Sequence, residues 1–175
     1  DGARLRHHWR IATDGNRLAD EYAVLVLNLF GTSGVPQQEI TGCAIASVVP
    51  GLTAVFADVA RRYLDLRPLI VGPGIKTGIA IRTDHPAEVG SDLVANAVAA
   101  REMYGTPAIV IGFGTATTFS AVTARGEFEG VSIAPGVRTG AEALFSFAAN
   151  LPQVELTRPP HAIGKNTIHS MQSGI

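Results

Sequence analysis

The stretch Gly112-Phe113-Gly114-Thr115-Ala116-Thr117-Thr118 combines small residues with three hydroxyls, the chemistry needed where a phosphate must come close to a backbone. Small side chains leave amide N–H groups open to an anion, and threonine hydroxyls add donors. A hairpin turn that uses glycine for its dihedral angles would read the same way, so both readings stand at this point. Asp92 lies near the start of an apolar-periodic segment, and a helix N-terminus there favours the ionised carboxylate. Such a carboxylate can orient a hydroxyl or take its proton, and an acid that merely caps its helix is the plainer alternative. Ile163-Gly164-Lys165-Asn166-Thr167 places a cation and two polar side chains at another helix start, a setting suited to an anion or to ordinary capping. His7, His8, His85, His161 and His169 lack metal-ligand spacing and read as solvated or packed. Trp9 reads as a core residue of an alternating strand rather than a stacking platform.

Composition narrows the classes of function. The chain has 175 residues, 46% hydrophobic and 17% charged, within the range of ordinary globular proteins and long enough to bury a core. Its 14 Lys and Arg against 15 Asp and Glu give a formal charge of -1, so no basic footprint for nucleic acid or an anionic membrane is present. The single cysteine, Cys43, excludes a disulfide framework and a cysteine-rich zinc site, and reads as a buried thiol. No apolar run approaches the ~20 residues of a membrane span. A cytoplasmic protein is the expectation. The chain opens on Asp1-Gly2 without Met, and helical spacing continues through Ile168, Met171 and Ile175 to its last residue, as expected of a fragment cut at both ends.

The elements that must position these groups follow from periodicity. Residues 4–13 alternate as a strand, and residues 19–30 carry a helical face of Tyr22, Leu25, Val26 and Leu29 that Gly31 should stop. Residues 40–49 read as a buried strand closed by Pro50-Gly51, residues 52–63 as an amphipathic helix, and residues 69–71 as a short strand. A turn-rich crossing through Gly72-Pro73-Gly74 leads to a helix from about Val89 to Tyr104. Three strands then follow, 108–113, 117–123 and 128–134, with a helix over 137–151 closed by Pro152 and a last helix capped by Asn166. The pattern predicts an α/β fold, parallel in its first half and mixed in its second, divided near residue 90.

Five blocks in this order resemble the type III pantothenate kinases. They are Gly72-Pro73-Gly74-Ile75-Lys76-Thr77-Gly78-Ile79, Glu88-Val89-Gly90-Ser91-Asp92, Phe113-Gly114-Thr115-Ala116-Thr117-Thr118-Phe119, Ile133-Ala134-Pro135-Gly136, and Ile163-Gly164-Lys165-Asn166-Thr167 with Ser170-Met171-Gln172-Ser173-Gly174. The resemblance implies the actin-like ATPase superfold, shared with acetate and sugar kinases, with two ribonuclease-H-like domains, 1–89 and 90–175, both incomplete. The family's amino-terminal phosphate-loop strand, Asp-x-Gly-Asn-Thr, and roughly its last third have no counterpart here.

The reaction implied is ATP-dependent phosphorylation of pantothenate, the first step toward coenzyme A, by a homodimer whose substrate site lies near the subunit interface. Asp92 would be the proton acceptor. Gly90, Ser91, Asp92 and Leu93 would contact pantothenate, with Thr167 from the partner subunit, while Gly114 and Thr115 would contact ATP, bound with Mg. Two departures from the family pattern stand out. Leu93 replaces the Arg that ends the family's Gly-Ala-Asp-Arg block, and Gly112 replaces an Asp that binds a monovalent cation, potassium or ammonium. A noncatalytic homologue acting through binding, such as a transcriptional accessory protein, is the competing expectation these departures raise.

Overall fold

The structure is a computed structural model that describes residues 4–49, 51–72 and 75–175. Among the described residues, ten regular elements follow the order α1 (Ala19–Thr32), β1 (Ala44–Ala46), α2 (Leu52–Tyr63), β2 (Leu69–Val71), α3 (Ser91–Tyr104), β3 (Ala108–Phe113), β4 (Ala116–Val122), β5 (Phe128–Pro135), α4 (Val137–Phe147) and α5 (Thr167–Gly174). Two single 3-10 turns, Gln37–Glu39 and Pro86–Glu88, carry no sequence signal of the strength that marks the helices. The fold is mixed α/β, and it divides into two compact units: Asp1–Thr77 with His85–Ala95, and Gly78–Asp84 with Asn96–Ile175.

In the first unit, β1 and β2 pair in parallel, Ala44 opposite Leu69 and Ala46 opposite Val71, with α2 as the connecting helix. The core is built by α1 and α2. Tyr22, Ala23, Leu52 and Val59 are buried together, and the Tyr22 and Phe56 rings meet at 4.7 Å in a tilted arrangement. The Tyr22 hydroxyl, buried with its ring, donates to the Asp14 carbonyl at 2.8 Å and accepts from the Asp14 N–H at 3.0 Å. Glu21 takes the Leu18 N–H at 2.8 Å, satisfying one donor at the start of α1.

Several expectations are corrected here. Residues 4–13 form no strand, because alternation supplies a face but a strand also needs a ladder partner. The alternation survives locally, since His7 and Trp9 stack at 5.7 Å. Trp9 is not a core residue: it is 38% exposed, and its indole N–H donates to Ser33 Oγ at 3.0 Å. Helix α1 runs past Gly31 to Thr32, one residue in a last turn being too little to break it. The strand expected over 40–49 is only Ala44–Ala46, with a single buried position, Ile45, as its partner β2 is itself three residues long. Pro50, expected to close it, and Pro73 and Gly74 of the following turn lie outside the described residues. Cys43 is half-buried rather than fully enclosed, and that burial pushes its thiol pKa up.

The second unit is organised around an antiparallel meander, β3-β4-β5. Ile109, Ile111 and Phe113 alternate onto an exposed face of β3, and Phe119 lies directly opposite Ile111 on the same face. The residues after Gly78 run along β5 as a short parallel bridge, Ile81 against Phe128, with Phe128 N–H donating to the Ala80 carbonyl at 2.8 Å. The Arg82 guanidinium pairs with Glu127, and this bond, seconded by Arg125, holds the Glu127 carboxyl below its usual range. Arg101, in the last turn of α3, donates to the Gly78 carbonyl at 2.6 Å. Its stem lies where a side chain at Gly126 would begin, 2.9 Å from the Cβ position of a residue whose φ is +73, so the hairpin turn requires glycine on both counts.

Helix α4 ends at Phe147, not at the expected Leu151, because Ala148 is already extended and Pro152 bars Leu151 from helical geometry. Helix α5 starts as expected, with the Asn166 side chain accepting from the His169 N–H at 2.8 Å. The three strands fall within a residue or so of their expected bounds. Phe128, with no exposed surface, is the largest fully buried apolar side chain of this unit. Replacing it by alanine is expected to cost about 3–5 kcal/mol, read from the shift of a chemical denaturation midpoint at unchanged slope.

Candidate functional site

The groups singled out in the sequence fall into three places. Gly90, Ser91, Asp92 and Leu93 begin α3 within the first unit. The Gly90 carbonyl accepts the first helical bond, from Val94 N–H at 3.1 Å. Ser91 is 8% exposed, and its hydroxyl donates to the Ser47 carbonyl just beyond β1 at 3.2 Å, which ties the start of α3 to the end of that strand. The Asp92 carboxylate is exposed and turns back over Gly90: a Cβ on Gly90 would lie 2.6 Å from Asp92 Oδ1 and 3.5 Å from Val48 Cγ1. Glycine at 90 thus sets where this carboxylate can sit. Leu93 adds a half-buried apolar surface beside it, with no hydrogen-bond donor in its side chain.

Gly112, Gly114 and Thr115 belong to the β3–β4 hairpin of the second unit, closed by the Gly114 N–H donating to the Ala116 carbonyl at 3.0 Å. The segment is therefore a hairpin turn, but Gly114 is not among the residues of positive φ, so dihedral freedom is not what it contributes. Proximity explains the small residues here. The Thr115 carbonyl accepts from Gly136 N–H at 2.9 Å and from Thr139 Oγ at 2.8 Å. A Cβ on Gly136 would lie 2.1 Å from the Gly114 oxygen and 2.5 Å from the Thr115 oxygen, an approach only glycine permits. The turn is thereby clamped onto the N-terminal end of α4. Thr115 itself is exposed, and Thr117 is buried.

The third place is the start of α5. Lys165, Asn166 and Thr167 line a cavity of about 660 Å³ together with the apolar Leu144, Leu151 and Met171. Thr167 and Lys165 are exposed. Among the described residues no three His, Cys, Asp or Glu side chains converge to hold a metal ion, and no helix is long and apolar enough to cross a membrane.

Two contributors were not singled out from the residues alone. Gly136 lay within one of the quoted blocks, whose spacing after Thr115 could have flagged it, whereas the Thr139 hydroxyl carried no signal. The geometry at Gly90 yields an expectation: Gly90→Ala displaces the Asp92 carboxylate, the far end of a flexible side chain, so the carboxylate swings away while the fold is retained. A thermal melt little changed from that of the unmodified protein checks this, and a large loss of stability would show that the backbone at Gly90 gives way instead of the carboxylate.

The family model of the type III pantothenate kinases matches residues 1–175. The chain is 54% identical over 172 residues to a type III pantothenate kinase of Roseiflexus sp. (strain RS-1), covering 98% of this chain and 68% of that protein. It is 50% identical over 174 residues to the one from Moorella thermoacetica (strain ATCC 39073 / JCM 9320), covering 99% and 68%. Against the one from Brevibacillus brevis (strain 47 / JCM 6285 / NBRC 100599), identity is 49% over 175 residues, covering 100% and 69%. With the whole length matched and about half the residues shared, the chain belongs to the type III pantothenate kinase family.

Proposed function

We infer that the protein to which these 175 residues belong catalyses the ATP-dependent phosphorylation of pantothenate to 4'-phosphopantothenate, the first step of coenzyme A biosynthesis. The observation that carries the reading is the match to the family along the whole chain. The carboxylate held over Gly90 at the start of α3 supports it. In the reaction the terminal hydroxyl oxygen of pantothenate bonds to the γ-phosphorus, the bond to the β-phosphate oxygen breaks, and ADP leaves. Asp92 orients the hydroxyl and receives its proton. A weak base suffices, because the proton moves late, when the oxygen is already bonding to phosphorus.

Such a transfer passes through a loose transition state and depends on alignment and charge neutralisation more than on strong base chemistry. Gly114 and Thr115, on a turn clamped by Gly136, would contact ATP with rigid backbone groups. Mg²⁺ bound with ATP would supply charge neutralisation at the phosphates beside the Gly114–Thr115 turn. Gly90, Ser91 and Leu93 would contact pantothenate beside Asp92, and Thr167 would do so from the partner subunit of a homodimer. The architecture we assign is the actin-like ATPase superfold with two ribonuclease-H-like domains, 1–89 and 90–175. We assign the reaction to the cytoplasm, where both substrates are dissolved, and no role in nucleic-acid binding fits a formal charge of -1.

Two measurements test this reading. Asp92→Asn removes the proton acceptor while keeping the shape, and is expected to lower kcat by about 10²–10⁴-fold in a coupled assay of ADP release. Equal rates for the variant and the unmodified protein would overturn the role of Asp92. Leu93→Arg adds a fork that can grip pantothenate's carboxylate, a hydrogen bond to a charged group worth roughly 1.5–3 kcal/mol. The expected result is a Michaelis constant for pantothenate lowered by about tenfold or more, with kcat little changed.

A further inference from the structure

The resemblance implies a monovalent cation at position 112, held by an acidic side chain, and the residues present here do not fit it. Gly112 has no side-chain oxygen to offer. A Cβ built on Gly112 would lie 2.7 Å from Thr118 Oγ, so a side chain there would require the threonine hydroxyl to turn aside. Thr118 is the residue directly opposite Gly112 on β4, and it faces Ile133 on β5. The cross-strand row Gly112–Thr118–Ile133 is thus uncharged from edge to edge.

The three strands of this sheet contain one acidic residue, Glu129, which follows Phe128 at the irregular pairing of Ala121 and Val122. That pairing is at least three residues along β4 from Thr118, roughly 10 Å away at strand spacing, too far to replace a ligand at 112.

We propose that phosphoryl transfer by this chain is independent of monovalent cations, the acidic ligand and its ion having been lost together. The proposal rests on the kinase reading and deepens it. Charge balance makes the joint loss coherent. A carboxylate with a bound potassium ion is neutral as a pair, and a glycine with no ion is neutral as well, so the phosphates of the nucleotide meet the same net charge in either arrangement. A carboxylate without its ion would instead set a negative charge against them.

The test compares potassium, ammonium and tetramethylammonium chlorides at equal ionic strength. Initial rates of pantothenate phosphorylation and the calorimetric affinity for a non-hydrolysable ATP analogue are measured in each salt. Values that agree within about threefold, well under the 1.4 kcal/mol of a tenfold change, are expected. A larger stimulation by potassium or ammonium overturns the proposal while leaving the kinase reading intact. No phosphorylation in any salt would refute the kinase reading instead, and the cation question is then decided by analogue affinity: equal affinities support the proposal and potassium-dependent ones overturn it. The double variant Gly112→Asp, Thr118→Ala opens space for the carboxylate and is expected to gain potassium-dependent analogue binding. If it folds and stays indifferent to potassium, position 112 does not govern cation dependence and the proposal falls.

Discussion

Gly136 comes so close to the β3–β4 turn that a single added carbon would stand 2.1 Å from the Gly114 oxygen. Much of the second unit depends on this contact. It brings the Gly136 N–H and the Thr139 hydroxyl onto one carbonyl, that of Thr115, and so joins the start of α4 to the turn. A carbonyl placed at a helix N-terminus also meets the positive end of the helix dipole, so the electrostatics favour the same geometry that sterics allow. The consequence is a turn whose backbone is held without using the side chains of Gly114, Thr115 or Ala116. Thr115 is thereby left exposed on a rigid turn.

The first unit uses a comparable economy. Ser91 spends its hydroxyl on the carbonyl of Ser47, anchoring the start of α3 to the strand end, and the absence of a side chain at Gly90 lets the Asp92 carboxylate lie back over the chain. Neither interaction is strong by itself, a neutral hydrogen bond contributing about 1 kcal/mol. Their effect is to fix the start of α3 and to leave room for the carboxylate over Gly90. On the proposed reading, the position of the acceptor would matter more to phosphoryl transfer than its basicity.

Leu93 and Gly112 both depart from the family pattern in the same direction, toward a less charged site. The first removes a cation that would meet the substrate's carboxylate, and the second removes an anion that would need a cation of its own. Their effects on the two ligands are therefore separate. On the proposed reading, a missing guanidinium would weaken a contact to pantothenate, whereas a carboxylate missing together with its ion would leave the charge near the nucleotide unchanged.

Elements written by local periodicity were legible in the sequence: α2 at Leu52–Tyr63, β2 at Leu69–Val71 and β3 at Ala108–Phe113 have the bounds their residues dictate. Helical spacing and short β-branched runs act within a few residues, so no distant partner is needed to recognise them. The Asn166 cap was readable for the same reason, as was the order of the motif blocks that identified the family. Residues 4–13 and 40–49 were misjudged because a strand exists only where another backbone completes its ladder, and alternation carries no information about that partner. Tertiary structure alone decided which atoms meet at the site. Gly136 on the carbonyls of the turn and Thr118 over Gly112 follow from strand register and from the direction in which α4 leaves β5, and both are set by packing across many residues rather than by the identity of any one.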